Sequence, residues 1–341
     1  MLELTWFLLW GILWAVYFAL DGYDFGLGIN MPLLATSETD RRTIYNAAGP
    51  FWDGNQVWLV TAGGVTFAAF PATYAVMFSS LYSALMLLLF ALIFRGISFE
   101  FRRKVDSDSW RKFWDGCNVI GSLLPALLFG VAFANIFMGI PLNAQRINEG
   151  NLLSLLNPYG LAGGILFVLL FSFHGSLWLA VKSQGALMER AEALAHKLWF
   201  AVVAMVAIFL AMSVFYTNLF HNYLANPVLL FLLLLPVGGL IMAKVFLSRQ
   251  AQWQAWGASG LGIIGVTLFG VIGLYPKLLP SSIDPAYSMT IANSASSTLT
   301  LQIMLVVALL CVPVVIAYQA WSHYRFGHKI TAKDLEYEEA Y

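Results

Sequence analysis

Stretches of about twenty or more mostly apolar residues recur nine times along this chain, roughly at 4–30, 51–73, 75–97, 114–138, 161–182, 197–219, 227–247, 257–275 and 299–323. Each is long enough, as a helix, to cross about 30 Å of hydrocarbon. In lipid, a helix or a closed barrel is the only spanning form that satisfies its own backbone hydrogen bonds. Of the 341 residues, 60% are hydrophobic and 11% charged, a balance that excludes a water-soluble domain of this size. The sequence therefore predicts an all-α integral membrane protein, a bundle of about nine transmembrane helices making a single polytopic membrane domain over 1–341. The longest connections, about 98–113 and 276–298, are too short to bury a core of their own. Residues 2–20 lack a basic leader and a small-residue cleavage signal, so the first helix is expected to stay in the mature protein.

Lys plus Arg equals Asp plus Glu at 18 each, which gives no charge excess for a nucleic-acid partner. The distribution of the basic residues carries more information. With the N-terminus on the periplasmic side, 16 of the 18 Lys and Arg fall on inner connections or the tail, and only Arg146 and Lys277 lie outside. Residues 325–341 then form a short cytoplasmic tail. Tryptophans such as Trp6, Trp10, Trp14 and Trp321 suit interfacial belts and helix packing. Cys117 and Cys311 sit in apolar runs, where a thiol is expected to behave as a small buried hydrophobe.

The carboxylates are the conspicuous exceptions. As a helix, residues 5–20 cover only about 24 Å, so the first span must carry part of "DGYDFGLGIN" through the inner leaflet. Asp21 and Asp24 lie about 60° apart there, on the side that also bears Tyr17 and Gly28. The second span opens with "FWDGNQVWLVTAGG", so Asp53 starts at a similar depth, and Arg95 ends the third span at that depth too. Three carboxylates and a guanidinium thus meet one membrane level. Charges in lipid normally face a bundle interior or a hydrated path. Two readings follow: an ion-pair cluster that only orients helices, or a proton relay whose carboxyl groups change protonation. Asn55, Gln56 and Thr61 could hold waters or bond neighbouring helices, while Trp52 and Trp58 could close off lipid. Gly22, Gly26, Gly28, Gly63 and Gly64 are read as points of close helix approach.

Five histidines are present, and His174 alone lies well inside a span. None makes an i, i+3 or i+4 pair within a span, and no Cys–His cluster has metal-ligand spacing. A haem axial ligand needs no such spacing, but a hydrogen-bonded intramembrane histidine is the simpler reading of His174. No nucleophilic triad or flavin motif is visible, so no catalytic residue, metal site or ligated cofactor is expected in this chain.

Six segments in order resemble subunit II of the cytochrome bd-type quinol oxidases: "DGYDFGLG" (21–28), "FWDGNQVWLVTAGGVTFAAFP" (51–71), "FRGISFEFR" (94–102), "GSLLPALLFGVAFANIFMGIP" (121–141), "LNPYGLAGG" (156–164) and "LLPSSIDPAYSMTIANSASSTLTL" (278–301). The resemblance runs end to end. It implies a heteromeric complex of the bacterial cytoplasmic membrane that oxidises quinol, reduces dioxygen to water and contributes to the proton gradient. It further implies that haem b and haem d are carried by a partner, subunit I, with small accessory subunits as further possible partners besides lipid and quinone. On the family pattern, Asp53 belongs to a proton route from the cytoplasmic side, and Asp21 and Asp24 match an acidic pair on the first helix. Two other function classes stay open: an ion-coupled transporter, which would need paired helix breaks in both halves, and a purely structural anchor with every aspartate salt-bridged.

Overall fold

In the computed structural model, which describes residues 1–336, the first helix is the axle of the bundle. Helix α1 (Leu2–Leu34) has 33 residues, about 50 Å at 1.5 Å per residue. It outreaches the hydrocarbon, and most of its side chains are buried against α3 (Trp52–Ala69), α6 (Asp108–Met138), α7 (Pro158–Lys182) and α11 (Gln252–Leu274). Burial on several sides explains why α1 is apolar nearly all round. Helix α2 (Glu38–Ala48) follows at the inner end, started by a capping box in which the Ser37 hydroxyl accepts from Asp40 N–H and Asp40 reaches back to Ser37 N–H.

Among the described residues, eight helices are long and apolar enough to cross a membrane. The ninth expected span is α3, whose 18 residues fall outside that group because Asp53, Asn55 and Gln56 occupy its first turns. It still lies antiparallel to α1: Trp10 Nε1 donates to Thr66 Oγ1 at 2.9 Å near one end, and Asn55 Nδ2 to the Leu20 carbonyl at 3.2 Å near the other. The expected limits of the second and third spans do not hold. Pro71 has no N–H to continue α3, and begins a separate helix, α4 (Pro71–Ser80). Helix α4 packs on the outer loop, where Thr73 Oγ1 meets Ser294 Oγ at 2.7 Å, so the third span starts only at Tyr82 as α5 (Tyr82–Phe101).

Of the remaining helices, α8 (Gly185–Tyr216) packs on α7, and after the short α9 (Phe220–Ala225) the 3-10 turns Pro227–Leu233 run into α10 (Leu234–Ser248), which packs on α11 and completes the span Pro227–Ser248. An outer cap holds the two-stranded ladder of β1 (Lys277–Leu279) and β2 (Met289–Thr290) with α12 (Ile291–Ser294). Helix α13 (Thr298–Arg325) lies at the edge beside α1 and α3, with only Leu301 and Ser322 buried. Cys311 is exposed on it, because this helix buries so little, and Cys117 on α6 is only half-buried, so neither thiol is fully buried as expected.

Without a hydrophobic drive between helices in lipid, close packing decides which faces meet. A Cβ on Gly26 would overlap the Phe171 carbonyl, and Gly175 faces it across the α1–α7 contact. Gly63 and Gly64 meet no close helix within this chain: a Cβ on Gly63 would reach only Phe78 at 4.0 Å, and one on Gly64 would meet nothing within 4 Å. Around α1 an aromatic core forms from Trp14, Tyr17, Phe18, Phe129, Phe133 and Phe167, with edge-on ring pairs such as Phe18–Phe167 at 4.9 Å.

The tail begins where α13 ends. Ile330 N–H bonds the Lys182 carbonyl at 2.7 Å, Lys182 Nζ donates to the carbonyls of Phe326 and His328, and Arg42 donates to Leu335 O. Residues 326–336 are thus fastened under α7 and α2, while 337–341 of the expected cytoplasmic tail lie outside the described residues.

Candidate functional site

The C-terminal ends of α1 and α5 and the N-terminal end of α3 bring five of the expected residues, Asp21, Asp24, Asn55, Gln56 and Arg95, into one cluster with Tyr23. Asp21 and Asp24 leave α1 one turn apart, Arg95 reaches them from α5, and all three are 2% exposed or less. Arg95 Nη1 lies 3.2 Å from Asp21 Oδ1, and Nη2 lies 4.0 Å from Asp24 Oδ2. The guanidinium also sits 4.6 Å over the Phe25 ring, a cation–π contact that steadies a charge far from water. From α3, Asn55 Nδ2 reaches Asp24 Oδ2 at 2.7 Å and the Tyr23 hydroxyl at 2.8 Å, while Gln56 Nε2 reaches Asp21 Oδ2 at 3.4 Å.

The arrangement has one guanidinium for two carboxylates. Among the described residues, Asp24 Oδ1, Asn55 Oδ1 and Arg95 Nε find no hydrogen-bond partner although all are buried. The cluster is polar and holds one carboxylate more than it has guanidinium groups.

Asp53 is placed differently. Its side chain is exposed on α3 and accepts from the Gly54 N–H at 2.6 Å, so it shares the level of the cluster without bonding to it. Trp52 stacks on Phe99 with centroids 5.2 Å apart, and Trp58 Nε1 donates to Gln319 Oε1 at 2.8 Å, tying α3 to α13. Gln319 Nε2 returns a bond to the Gly54 carbonyl at 2.9 Å.

Below this cluster is a second one that sequence reasoning did not single out. Arg102, just past α5, is 1% exposed and makes a two-pronged contact with Glu38, Nη1 and Nη2 each at 2.8 Å, while Nε bonds Asp115 at 2.6 Å. Burial pushes the Glu38 carboxyl up, but the Arg102 hydrogen bonds and charge outweigh that and hold it below the usual glutamate value. This group joins α2, α5 and α6 and is built for stability. Tyr23 and His323 were also not singled out, since their contact spans 300 residues of sequence and leaves no local signal.

The ring nitrogens of His174 and His323 are engaged within the chain. His174 is buried with both ring nitrogens engaged, Nδ1 at 2.5 Å from Ser259 Oγ and Nε2 at 2.9 Å from the Ala19 carbonyl, and it stacks on Trp256. The His323 nitrogens face Tyr23 and Gln319. The apolar cavity between α6, α7, α8, α10 and α11, about 70 Å³, is lined by residues such as Phe133, Phe167 and Leu240 and by no histidine, methionine or cysteine. No group of three or more potential metal ligands occurs among the described residues.

Residues 2–326 match the family model described as cytochrome bd terminal oxidase subunit II. The chain is 36% identical over 329 residues to cytochrome bd ubiquinol oxidase subunit 2 of Bacillus subtilis, covering 96% of this chain and 97% of that one. It is 34% identical over 369 aligned positions to cytochrome bd-I ubiquinol oxidase subunit 2 of Escherichia coli strain K12, covering 98% and 97%. The fold matches a chain of the bd oxidase from Geobacillus thermodenitrificans with a TM-score of 0.75 over 95% of this chain and 98% of that one, at 17% identity. With a family match spanning nearly its whole length and relatives above 30% identity on both sides, the chain belongs to the cytochrome bd terminal oxidase subunit II family.

Proposed function

We propose that this chain is the haem-free half of a quinol:oxygen oxidoreductase of the bacterial cytoplasmic membrane, with two tasks: docking a haem-bearing subunit I and passing cytoplasmic protons toward it. The observation that carries the second task is the buried Asp21–Asp24–Arg95 cluster, with one carboxylate in excess and orphaned polar atoms beside it. Dioxygen reduction consumes protons inside a low-dielectric protein, so a titratable route from the inner aqueous phase is a physical requirement of the complex. The haem b and haem d implied by the family supply the electron transfer and oxygen chemistry when bound in the partner. The residues of this chain hold and move protons, exclude lipid from the path, and fix the partner's position.

The docking face is that of α3 and α13. Val60 on α3 is 74% exposed, Gly64 stands open, and α13 turns apolar side chains such as Val306 and Leu310 outward along its length. Asp53 opens onto this face at the level of the cluster, where it can hand protons between the two subunits. The pairing of α3 with α13 through Trp58 and Gln319 gives the face a fixed shape.

The test is Asp53→Asn in the purified complex. Retained assembly and haem content with lowered quinol oxidase turnover is the expected result; normal turnover with full haem content removes Asp53 from the proton route. The ion-coupled transporter reading fares worse because the buried acidic residues lie at one level, on α1 alone, with no counterpart described in the second half. The anchor reading would gain if Asp53→Asn lost haem.

A further inference from the structure

Tyr23 extends the carboxylate cluster toward the inner surface. Its hydroxyl is buried and lies 3.2 Å from His323 Nε2, near the inner end of α13. His323 Nδ1 is 2.9 Å from the Gln319 carbonyl, which can only accept, so Nδ1 carries the hydrogen of the neutral ring. Nε2 then presents its lone pair, and the Tyr23 O–H donates to it. On its other side the Tyr23 oxygen accepts from Asn55 Nδ2 at 2.8 Å, and the same nitrogen donates to Asp24 Oδ2 at 2.7 Å. Two oxygens bound to one nitrogen at those distances are at most about 5.5 Å apart, a gap that one water spans with two ordinary hydrogen bonds. His323 is half-buried in the last turn of α13, two residues before its terminal Arg325, so the contact stands at the end of the span. Phe51, at 4.6 Å from the His323 ring, together with Trp178 and Trp256 walls the contact off from lipid.

We propose that His323 is the entry group and Tyr23 the relay hydroxyl that deliver protons from the inner aqueous phase to Asp24, with Asn55 as the positioning residue. The inference rests on the proton-uptake reading above and supplies its entrance. In balanced form, a proton from inner water binds His323 Nε2 while the Tyr23 O–H turns toward Asp24. The imidazolium then gives Nε2–H to the Tyr23 oxygen as Tyr23 passes its own hydrogen, through one water, to the Asp24 carboxylate. The histidine returns to its neutral form, one proton has moved, and no electrons or other bonds change. The Asn55 amide keeps both its hydrogens throughout, and serves by holding the phenol and the carboxylate at bridging distance.

The experiment uses the intact complex and measures proton uptake from the inner side during a single turnover with dioxygen, beside haem content. Tyr23→Phe keeps the ring and removes only the hydroxyl, and is expected to slow uptake at least about tenfold with haem retained. His323→Ala should slow it similarly, and imidazole added on the inner side should restore the rate, with 4-methylimidazole, the stronger base, giving a different rescued rate. Wild-type uptake in both variants, or a slowed His323→Ala that no imidazole restores, overturns the proposal. Should Tyr23→Phe lose haem, the rescue of His323→Ala decides. Slow uptake in Asp24→Asn with normal uptake in Tyr23→Phe and His323→Ala would sink this entrance while keeping the conducting cluster; normal uptake in Asp24→Asn as well would sink the proton-uptake reading itself.

Discussion

Removing the cation from the inner cluster and removing one of its anions should have very different consequences. Arg95 serves Asp21 at 3.2 Å and Asp24 at 4.0 Å; at an effective dielectric of about 20 those separations correspond to about 5 and about 4 kcal/mol of attraction. Arg95→Gln leaves two carboxyl groups buried without a counter-charge, and breaking a buried pair from one side costs about 3–5 kcal/mol. Asp24→Asn loses the longer attraction but also the repulsion between the two carboxylates, and leaves a matched Arg95–Asp21 pair. Its net effect on stability should stay within about 1 kcal/mol. Asp21→Asn, which removes the shorter contact, should fall between them. The measurement is thermal melting of the purified complex, with haem per subunit as a check of assembly. Arg95→Gln should lower the midpoint by about 5 °C or more, while Asp24→Asn should melt near wild type but turn over slowly. Wild-type stability in Arg95→Gln, or an Asp24→Asn complex that melts below it, would refute the charge argument.

Other consequences are as direct. Arg102→Lys keeps the charge but loses the fork that grips Glu38 and Asp115, so it should destabilise the α2–α5–α6 junction by about 1–3 kcal/mol; unchanged hydrogen exchange across 38–48 would count against this. Lys182→Met removes the ammonium that donates to Phe326 and His328 carbonyls, and should raise protease cleavage of 326–336 several-fold; a tail as resistant as wild type would mean that Lys182 does not hold it. For pH, burial alone would raise the carboxyl groups of Glu38 and Asp40, yet Arg102 bonds on the first, and Thr36 and Arg190 on the second, leave both below their ordinary values. Their contribution is therefore complete above the ordinary carboxylate values and is lost as pH falls through the depressed ones. Exchange of the α2 amides, corrected for its intrinsic pH dependence, should accordingly hold steady at neutral pH and rise only in acid, and a rise beginning near neutrality would contradict the assignment.

Much of the fold was legible because lipid enforces it: a spanning helix must be long and apolar. The level shared by Asp21, Asp24 and Arg95 followed from helix rise alone, and the three meet in the structure. What periodicity could not supply was the facing of α3. Asn55 and Gln56 turn inward to the cluster while Asp53, two residues away, turns outward, a choice set by the docking of α3 on α1 and by the Gln319 bond from a helix 265 residues distant. The break at Pro71 was readable as a helix start but was hidden by the apolar residues on both sides of it. Arg102 read as one of several inner basic residues; only the packing of α2 beneath α5 reveals that it is buried and doubly paired.

The open glycines of α3 allow the docking face to be tested apart from anything inside this chain. A Cβ at Gly64 meets nothing within 4 Å, and one at Gly63 only the edge of Phe78 at 4.0 Å. Gly64→Leu therefore adds bulk that no residue of this chain opposes, and replacing Gly by Leu within a helix favours the helix by somewhat under 1 kcal/mol. If α3 faced lipid, the variant would be neutral or better. If α3 packs against subunit I, the added side chain enters an interface where small residues let backbones approach, and overpacking there costs about 1–3 kcal/mol. Gly257 on α11 is the control, because it too is open within the chain but lies in the groove between α10 and α11, beside Gly238 and Leu261, which no α3 residue lines. The expected outcome is loss of co-purifying haem and partner in Gly64→Leu with full retention in Gly257→Leu. Equal tolerance of both would move the partner off α3, and equal loss would mean that both faces are covered in the complex.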